Sequence, residues 1–547
     1  MRRILIILFA IHYALITASA QSADYDVVPM PQSIAPQKGE PFVLDSNVKI
    51  VADEGLQREA AFLKAYLQEV AGVDLAVVRK REKRVSCIEL ALSPKVTAAE
   101  GYVLTINKKG VVIAGGSGAG VFYGIQTLRK SLSNLTGEQP PCEMVPVIIT
   151  DAPRFSWRGM HLDCSRHFFP VSFVKKFIDL LALHNMYVFH WHLTDDQGWR
   201  LEIKSWPRLT EVGSRRSGTI LGTNSDLDDF TPYGGYYTQA EAREIVDYAA
   251  ARHITVVPEI DMPGHMLAAL ASYPELGCTG GPYQVGHYWG VYKDVLCVGN
   301  PRVYQFVEDV LKELMDIFPI PADAPTRSLS NVIHIGGDET PTEKWKHCAK
   351  CQALQLDGNT LQGYFTQRVF DFLTAHHRRA LGWDELLENH APQDAMIMSW
   401  RGTSPGAKAA EAGHDVVMAP TSHCYFDYQQ ARSVEHEPSR CGGYIPVEKV
   451  YSLDPAPDSI PSAARKHILG VQANLWSEYL LTEGTVEYHA LPRMSALAEV
   501  QWTLSARKDY QAFLGRLTRL TRLYELYHYQ YAKHLWPERQ LPSRWQF

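Results

Sequence analysis

The chain has no strong surplus of charge of either sign. Its 547 residues carry 54 Lys and Arg against 60 Asp and Glu, a formal net charge of −6. Binding to nucleic acid or to an anionic membrane surface relies on clustered positive charge. No Lys/Arg block interleaved with aromatics is present, so the composition argues against both partners. The charge does not identify the substrate.

The sequence lacks a long apolar run beyond its first residues. Arg2 and Arg3 precede an apolar run at residues 4–16, and Ala18-Ser19-Ala20 supplies small residues for cleavage. This pattern is typical of a signal peptide, here residues 1–20, and it is shorter than the ~20 residues that a membrane span needs. We expect the mature chain to begin near Gln21 and to work in the periplasm or outside the cell, or in a lysosome-like compartment of a eukaryote.

Cysteine is sparse, with nine residues in the whole chain. That number excludes a disulfide-scaffold protein, although an exported chain can form a few bridges. Cys278 and Cys297 could close one loop. Cys348 and Cys351 form a single CxxC with no second CxxC or His pair nearby in sequence, so a local disulfide or two free thiols is favoured over zinc.

Low-complexity tracts are also missing, and 46% of the residues are apolar, which predicts a globular protein of two or three domains. Residues 24–150 mix a helical stretch at 54–70 with β-branched runs at 87–92, 102–106 and 111–114, which predicts a small α+β domain. Residues 115–120 are rich in glycine and lead into a helix at 121–132. A phosphate cradle is one interpretation, but no Lys-Ser/Thr pair follows, so a tight turn is favoured.

After residue 151, short β-rich runs alternate with longer amphipathic stretches. Eight runs alternate with helical segments up to about residue 505, which predicts a (β/α)8 barrel with insertions. The tail, residues 506–547, has Leu, Tyr and Arg at helical spacing and is predicted to be a helical extension that packs on the barrel. The eight predicted strands are 159–163, 186–193, 254–260, 332–335, 379–383, 395–400, 415–419 and 468–475.

Two adjacent acids, Asp338 and Glu339, follow the fourth predicted strand. A charge placed directly after a buried strand is costly unless it has a partner or a function. One alternative is a helix N-cap formed by Asp338 or Thr340, with Glu339 in the first turn. Polar residues follow nearly every other strand as well, and barrel active sites lie at that end, so we interpret the pair as a catalytic centre.

Glycosidic cleavage needs one group to protonate the leaving oxygen and a second to stabilise or attack the anomeric carbon. Adjacent acids do not suit two carboxylates that face each other across a sugar ring. They favour unequal roles, in which Glu339 moves the proton and Asp338 orients a substrate group, such as a 2-acetamido, that acts as the nucleophile.

His190 and His192 share one face of the second predicted strand. A metal site is one interpretation of this pair, because an HxH pair inside a barrel can hold zinc. The interpretation we favour is a proton network in which His265 connects Asp195 to Glu339.

Aromatic and charged side chains follow several other strands. Trp383, Trp400 and Trp476, with Tyr425, suggest an apolar box for a sugar face or an acetamido methyl. Arg166, Asp427 and Glu478 would then bind sugar hydroxyls through charge-assisted hydrogen bonds; for each of them a surface salt bridge is the alternative.

Seven segments resemble the family 20 glycoside hydrolases, the β-N-acetylhexosaminidases, in the family's order from about residue 24 to 505. They are WRGMHLDCSRHF (157–168), HWHLTDDQGWR (190–200), PEIDMPGH (258–265), HIGGDE (334–339), GWDE (382–385), SWRG (399–402) and ANLWSEY (473–479).

The resemblance implies an N-terminal α+β domain, a catalytic barrel and substrate-assisted retention through an oxazolinium intermediate. It implies that Asp338 polarises the acetamido group, that Glu339 is the general acid and base, and that Asp195 and His265 support it. The implied sugar-hydroxyl ligands are Arg166, Asp427 and Glu478, and the implied acetamido pocket is formed by Trp383, Trp400, Trp476 and Tyr425.

The resemblance implies no metal and no cofactor. The expected substrate is an oligosaccharide or glycoconjugate with terminal β-linked GlcNAc or GalNAc. Two other functions stay open at this point: a metal-dependent amidohydrolase built on His190 and His192, and a non-catalytic glycan-binding protein, against which the presence of Glu339 argues. The oligomeric state stays open between a monomer and a homodimer.

Overall fold

The computed structural model describes residues 22–137, 140–223, 225–321, 329–389, 391–433 and 437–536. The predicted signal peptide and the last eleven residues of the predicted C-terminal extension, from residue 537, lie outside the described residues. None of the described helices combines the length and the hydropathy that a membrane span requires.

The first part of the chain forms a mixed sheet of seven strands, ordered β1-β9-β6-β7-β5-β3-β4, and a separate pair, β2 and β8. Two helices, α1 (Gln57–Ala71) and α2 (Gly118–Ser131), pack on the larger sheet. The strands are β1 (Ser33–Pro36), β2 (Phe42–Leu44), β3 (Lys49–Ala52), β4 (Ala76–Val78), β5 (Cys87–Leu92), β6 (Tyr102–Asn107), β7 (Gly110–Gly115), β8 (Cys142–Met144) and β9 (Val147–Asp151).

The glycine-rich stretch before α2 is explained by packing. A Cβ at Gly116 would overlap the carbonyl of Ala98, and one at Gly120 would overlap the carbonyl of Gly101. The glycines therefore let the turn and the start of α2 lie against the neighbouring loop, which agrees with the predicted tight turn.

Eight parallel strands then close into a barrel in chain order, so the predicted fold class is confirmed. The barrel strands are β10 (Trp157–Asp163), β11 (Val188–His192), β16 (Thr255–Glu259), β17 (Val332–His334), β18 (Arg379–Trp383), β19 (Met396–Ser399), β20 (Val416–Met418) and β21 (Ile468–Ala473). Four two-residue strands lie in the loops: β12 (Thr194–Asp195), β13 (Gly198–Trp199), β14 (Arg215–Arg216) and β15 (Tyr233–Gly234).

Helices surround the barrel, and α7 illustrates why they form. The Asn300 side chain accepts a hydrogen bond from Arg302 N–H, and Pro301 occupies the first turn, where its missing N–H costs nothing. The helices are α3 (Val171–Leu183), α4 (Arg208–Glu211), α5 (Gln239–Ala250), α6 (Leu267–Ser272), α7 (Pro301–Ile317), α8 (Glu343–Lys346), α9 (Ala349–Gln352), α10 (Gly358–Ala375), α11 (Thr403–Glu411), α12 (Thr421–Cys424), α13 (Val447–Ser452), α14 (Ser462–Arg465), α15 (Glu483–Ala490), α16 (Arg493–Trp502) and α17 (Tyr510–Leu526).

The tail helix α17 packs on the rest of the molecule through a buried ion pair. Arg516 lies 3.0 Å from Glu499 of α16, and both side chains are almost completely buried. Arg519 of the same helix pairs with Asp24 and Asp26 near the start of the described chain. The helix thus ties the barrel to the N-terminal region.

Candidate active site

All eleven side chains predicted for the site line one cavity at the carboxyl end of the barrel. The cavity encloses about 590 Å³, counting the space open to solvent at its mouth, a size typical of small-ligand sites. Three further residues, Asp261, Tyr428 and Cys441, contribute to its wall. The predicted lining residues are Arg166, Asp195, His265, Asp338, Glu339, Trp383, Trp400, Tyr425, Asp427, Trp476 and Glu478.

The loop after β17 holds the two acids in an unusual backbone conformation. Gly336 and Gly337 have φ of 68° and 96°, and Glu339 itself has φ of 42°. A Cβ at Gly336 would overlap the Asp261 side chain, so glycine is required for the close approach. Positive φ is rare for a glutamate, and such strain concentrates at functional sites.

The helix N-cap alternative for these acids is wrong. The next helix, α8, begins only at Glu343, and its N-cap is Thr342, which makes no side-chain capping bond. Asp338 and Glu339 therefore lie in the loop after β17, four and five residues beyond its last residue His334, and line the cavity.

A chain of close contacts joins Asp195 to the two acids. His265 Nδ1 lies 3.2 Å from Asp195 and 3.0 Å from Asp196, while Nε2 lies 3.6 Å from Glu339 and 3.9 Å from Asp338. His265 also has a positive φ, 51°. The imidazole thus lies between a buried pair of carboxylates and the acids at the cavity wall, which is the arrangement that the sequence predicts for His265.

The pKa values of these contacting side chains follow from their surroundings. Burial opposes a charge on His265, but the contacts with the Asp195, Asp196 and Glu339 carboxylates together outweigh it and raise the pKa of the imidazole well above its usual range. Contact with His265 in turn lowers the pKa of Glu339. Burial raises the pKa of Asp338, and burial together with the charge of Asp338 raises that of Asp261, so Asp261 can remain neutral and donate a hydrogen bond to Asp338.

Three buried carboxylate oxygens around the cavity have no hydrogen-bond partner among the residues that the structure describes. They are Asp338 Oδ1, Asp427 Oδ1 and Glu478 Oε2. Buried polar atoms are almost always satisfied, so these acceptors are positioned for donors that a ligand would bring. Arg166 differs, because its guanidinium already contacts Asp195 at 2.8 Å and Asp163 at 3.2 Å.

Indole rings form the apolar side of the cavity. Trp383 and Trp476 have ring centroids 5.8 Å apart, and Trp400 stacks on Tyr425 at 6.1 Å. The Trp400 indole N–H donates to Glu385 at 2.9 Å, which fixes the ring. Burial raises the pKa of Glu385 to about 8.

The histidines of the metal hypothesis lie beneath the cavity and do not line it. They surround one buried carboxylate, Glu259, whose oxygens lie 3.0 Å from His190 Nε2, 2.5 Å from His192 Nδ1 and 2.8 Å from His334 Nδ1. Trp383 donates to the same carboxylate at 3.1 Å. The HxH pair therefore belongs to a hydrogen-bonded layer that supports Asp195, which His192 contacts at 3.1 Å, and the Trp383 ring.

Glu259 and Asp196 are the supporting residues that sequence reasoning missed. The acids predicted for the site follow their strands, whereas Glu259 is the last residue of β16 itself. The sequence feature that could have identified Glu259 is an acid inside an apolar strand that neighbours a strand with two histidines. Asp196 had the same signal as Asp195, its neighbour in the sequence, but nothing in the spacing showed that both would contact His265.

A (β/α)8 barrel whose carboxyl end holds a tryptophan-walled, acid-lined cavity is an architecture that glycoside hydrolases use. Comparison with known proteins identifies the family of glycoside hydrolases. The sequence profile described as "Glycosyl hydrolase family 20, catalytic domain" matches residues 155–505, and the profile "Glycosyl hydrolase family 20, domain 2" matches residues 24–152. The chain belongs to glycosyl hydrolase family 20 and is a glycoside hydrolase, which removes the support for an amidohydrolase.

Relatives in sequence and in structure agree with this family. A β-hexosaminidase of Porphyromonas gingivalis is 40% identical over 91% of this chain, which spans 63% of that protein's length. A β-hexosaminidase of Vibrio furnissii is 34% identical over 88% of this chain and 77% of its own. The β-N-acetylhexosaminidase structure from Streptomyces coelicolor superposes with a TM-score of 0.80 at 32% identity and covers 94% of this chain and 99% of its own.

A second solved structure carries a ligand. The exo-β-N-acetylglucosaminidase of Vibrio harveyi in complex with N-acetylglucosamine has a TM-score of 0.81 at 32% identity, with 94% of this chain and 79% of that chain covered.

Proposed function

We propose that the protein is an exo-β-N-acetylhexosaminidase that removes terminal, non-reducing β-linked GlcNAc or GalNAc from oligosaccharides or glycoconjugates. The observation that carries the proposal is the set of three unpartnered, buried carboxylate oxygens around one tryptophan-walled cavity. They suit a neutral ligand rich in O–H and N–H donors, which is what an acetamido sugar is.

The shape of the cavity supports exo action. Asp261, Trp383 and Tyr425 are buried and close its inner end, whereas Glu339 keeps 43% of its side chain exposed. A terminal sugar can fill the inner part, and the rest of the glycan then extends past Glu339 into solvent. An internal sugar would need space on both sides.

The proposed mechanism gives the two acids different tasks. Asp338 accepts a hydrogen bond from the acetamido N–H and Tyr425 donates one to the acetamido oxygen, so that this oxygen is directed at the anomeric carbon. The oxygen attacks as the glycosidic bond breaks, and Glu339 gives its proton to the leaving oxygen. The oxazolinium ion that results is stabilised by the Asp338 carboxylate.

The second half of the cycle restores the protein. Glu339, now a carboxylate, removes a proton from water as the water adds to the anomeric carbon and opens the oxazolinium ring. The two displacements give net retention at the anomeric carbon, and the buried His265 and Asp195 keep Glu339 in place for both proton transfers.

The ionisation of Glu339 is consistent with this cycle only when substrate is bound. In the free protein, contact with His265 lowers the pKa of Glu339, which favours the carboxylate. A bound sugar replaces the water at its half-exposed side chain, and desolvation raises a carboxyl pKa. Substrate binding thus moves Glu339 toward the protonated form that the first step needs.

A panel of aryl β-glycosides with and without the 2-acetamido group tests the proposal on purified protein. The N-acetyl-glucosaminide and galactosaminide should be cleaved, while the glucoside and galactoside, which lack the internal nucleophile, should not. A thiazoline analogue of N-acetylglucosamine should inhibit strongly. Rapid cleavage of the plain glucoside, or no inhibition at high thiazoline concentration, would count against substrate assistance.

We also propose that the protein is exported to the periplasm or beyond the cell, or to a lysosome-like compartment in a eukaryote, on the basis of the first twenty residues. N-terminal sequencing of the protein purified from its own cells should begin near Gln21. A retained Met1 would contradict cleavage.

A further inference from the structure

Four cysteines that are distant in sequence meet beside the barrel. Cys278 and Cys297 come from the long segment between β16 and α7, and Cys348 and Cys351 lie at the start of α9. Their sulfur atoms all lie within 4.8 Å of one another, and all but the partly exposed Cys278 are buried.

The sulfur atoms are arranged as a closed group and not as two separate pairs. Cys297 Sγ lies 3.5 Å from Cys348 Sγ and 3.6 Å from Cys351 Sγ, and Cys278 Sγ lies 3.9 Å from Cys351 Sγ. Four thiolates bound to zinc at about 2.3 Å form a tetrahedron with edges of about 3.8 Å. We propose that Cys278, Cys297, Cys348 and Cys351 bind one structural zinc ion.

This proposal reverses the expectation from the sequence, which favoured a local disulfide or free thiols at Cys348 and Cys351. That expectation depended on the absence of a second CxxC or His pair nearby in sequence. The barrel supplies the missing ligands instead, because the loops after β16 and β17 are neighbours at its carboxyl end.

The backbone around the cluster is built for a close approach of its two halves. A Cβ at Gly299 would overlap the backbone of Lys350 and Cys351, inside the CxxC turn. The Gly299 N–H also contacts the Cys351 sulfur, and the Cys297 N–H donates to Leu276 O at 2.9 Å. A backbone donor to sulfur, as at Gly299, orients a thiolate ligand and supports its negative charge, whereas the Cys297 hydrogen bond fixes the backbone of its own loop.

The zinc would join the loops that carry the proposed catalytic residues. Leu296 N–H donates to Pro263 O at 3.1 Å, two residues before His265, and Leu296 O accepts from the Trp345 indole at 2.9 Å. Trp345 is fully buried and lies six residues after Glu339. We therefore assign the zinc a positioning role, since it fixes one loop next to His265 and another next to Glu339 without touching the substrate.

Metal content and thiol count together test the proposal. Elemental analysis of the purified full chain should find about one zinc per chain, and X-ray absorption should show four sulfur neighbours at about 2.3 Å. Titration of the denatured protein in excess chelator should count the same number of thiols before and after reduction. Zinc-free protein that gains two or four thiols on reduction would overturn the proposal in favour of disulfides.

Variants locate the ion within the chain. Cys297→Ser and Cys348→Ser should lose the zinc, whereas Cys87→Ser, which changes a buried cysteine of the N-terminal sheet, should keep it. Zinc that persists in both ligand variants would place the ion elsewhere, for example at His190 and His192, and would refute the assignment. If the variants do not fold, release of zinc from the wild-type protein by an organomercurial thiol reagent gives the same information, and a release that needs no thiol modification would contradict thiolate ligation.

Discussion

Replacing Glu339 with glutamine tests whether Glu339 donates the proton to the leaving oxygen. The amide keeps the size of the side chain but has no proton to give to the leaving oxygen. His265 retains Asp195 at 3.2 Å and Asp196 at 3.0 Å, and 43% of the Glu339 side chain is exposed. The substitution should therefore leave folding and the charge of the imidazole unchanged.

The size of the effect should depend on the leaving group. General acid catalysis contributes about 10²- to 10⁴-fold, which corresponds to roughly 3–5 kcal/mol of transition-state stabilisation. A sugar leaving group needs the proton, so kcat/KM for a chitobiose-type substrate should fall by that factor. A 4-nitrophenyl leaving group is already stable as an anion, so the fall should be much smaller.

The assay compares kcat/KM for both substrates in the wild type, Glu339→Gln and a control, Glu343→Gln. Glu343 is an exposed glutamate at the start of α8, four residues after Glu339, and its ion-pair partners among the described residues are Lys346 and His347, so its variant should behave as wild type. An equal loss on both substrates in Glu339→Gln, or no loss on either, would refute the assignment of Glu339 as the acid.

Three further changes test other parts of the site. Asp338→Asn should lower kcat/KM by about 10²- to 10³-fold, the cost of one lost electrostatic contact in a buried site. Because the proposed mechanism uses Asp338 as a carboxylate and its pKa is raised, wild-type activity should fall as the pH drops through that pKa. If the Asp338→Asn variant shows the same loss at acidic pH, the loss does not come from protonation of Asp338. Gly336→Ala should reduce activity and the melting temperature, because the residue has φ of 68° and an added Cβ would overlap Asp261. The backbone strain alone should cost about 1–3 kcal/mol, and an unchanged melting curve would show that the loop relaxes freely. Asp427→Asn should lower kcat/KM by about 10- to 150-fold, because a hydrogen bond to a charged group contributes roughly 1.5–3 kcal/mol. If Asp427 contacts the hydroxyl that distinguishes the two sugars, the ratio of the activities on the glucosaminide and the galactosaminide should change as well.

The eight barrel strands could be predicted from the sequence because each is a short apolar run bounded by turn residues. The prediction at 379–383 has the bounds of β18, and that at 468–475 extends two residues beyond β21. The errors lie at strand ends, as at 186–193, where β11 spans only Val188–His192. Side chains next to a strand in a barrel are as buried as those within it, so hydrophobicity alone does not mark the boundary.

The site could be predicted to the extent that its residues follow strands. Parallel strands deliver their following residues to one end of the barrel, so Asp338, Trp400 and Glu478 could be grouped without knowing any distance. The Glu259 cluster and the four cysteines could not, because each depends on which loops and which inward-facing side chains become neighbours. Cys278 and Cys351 are 73 positions apart, and only the closed barrel brings their sulfur atoms together.

The backbone and exposure of Asp338 and Glu339 suit the unequal roles proposed for these adjacent acids. Asp338 and Glu339 are adjacent, yet Glu339, which has a positive φ, keeps 43% of its side chain exposed, whereas Asp338 keeps only 13%. Glu339 is then the acid whose pKa responds to the arrival of a substrate, since only an exposed carboxyl can be desolvated by binding. Asp338 is less exposed, so binding changes its surroundings less, and its unpartnered oxygen can accept a hydrogen bond from a ligand donor. The positive φ at Glu339 therefore accompanies the difference in exposure between the two acids, and the proposed mechanism uses that difference to separate proton transfer from substrate orientation.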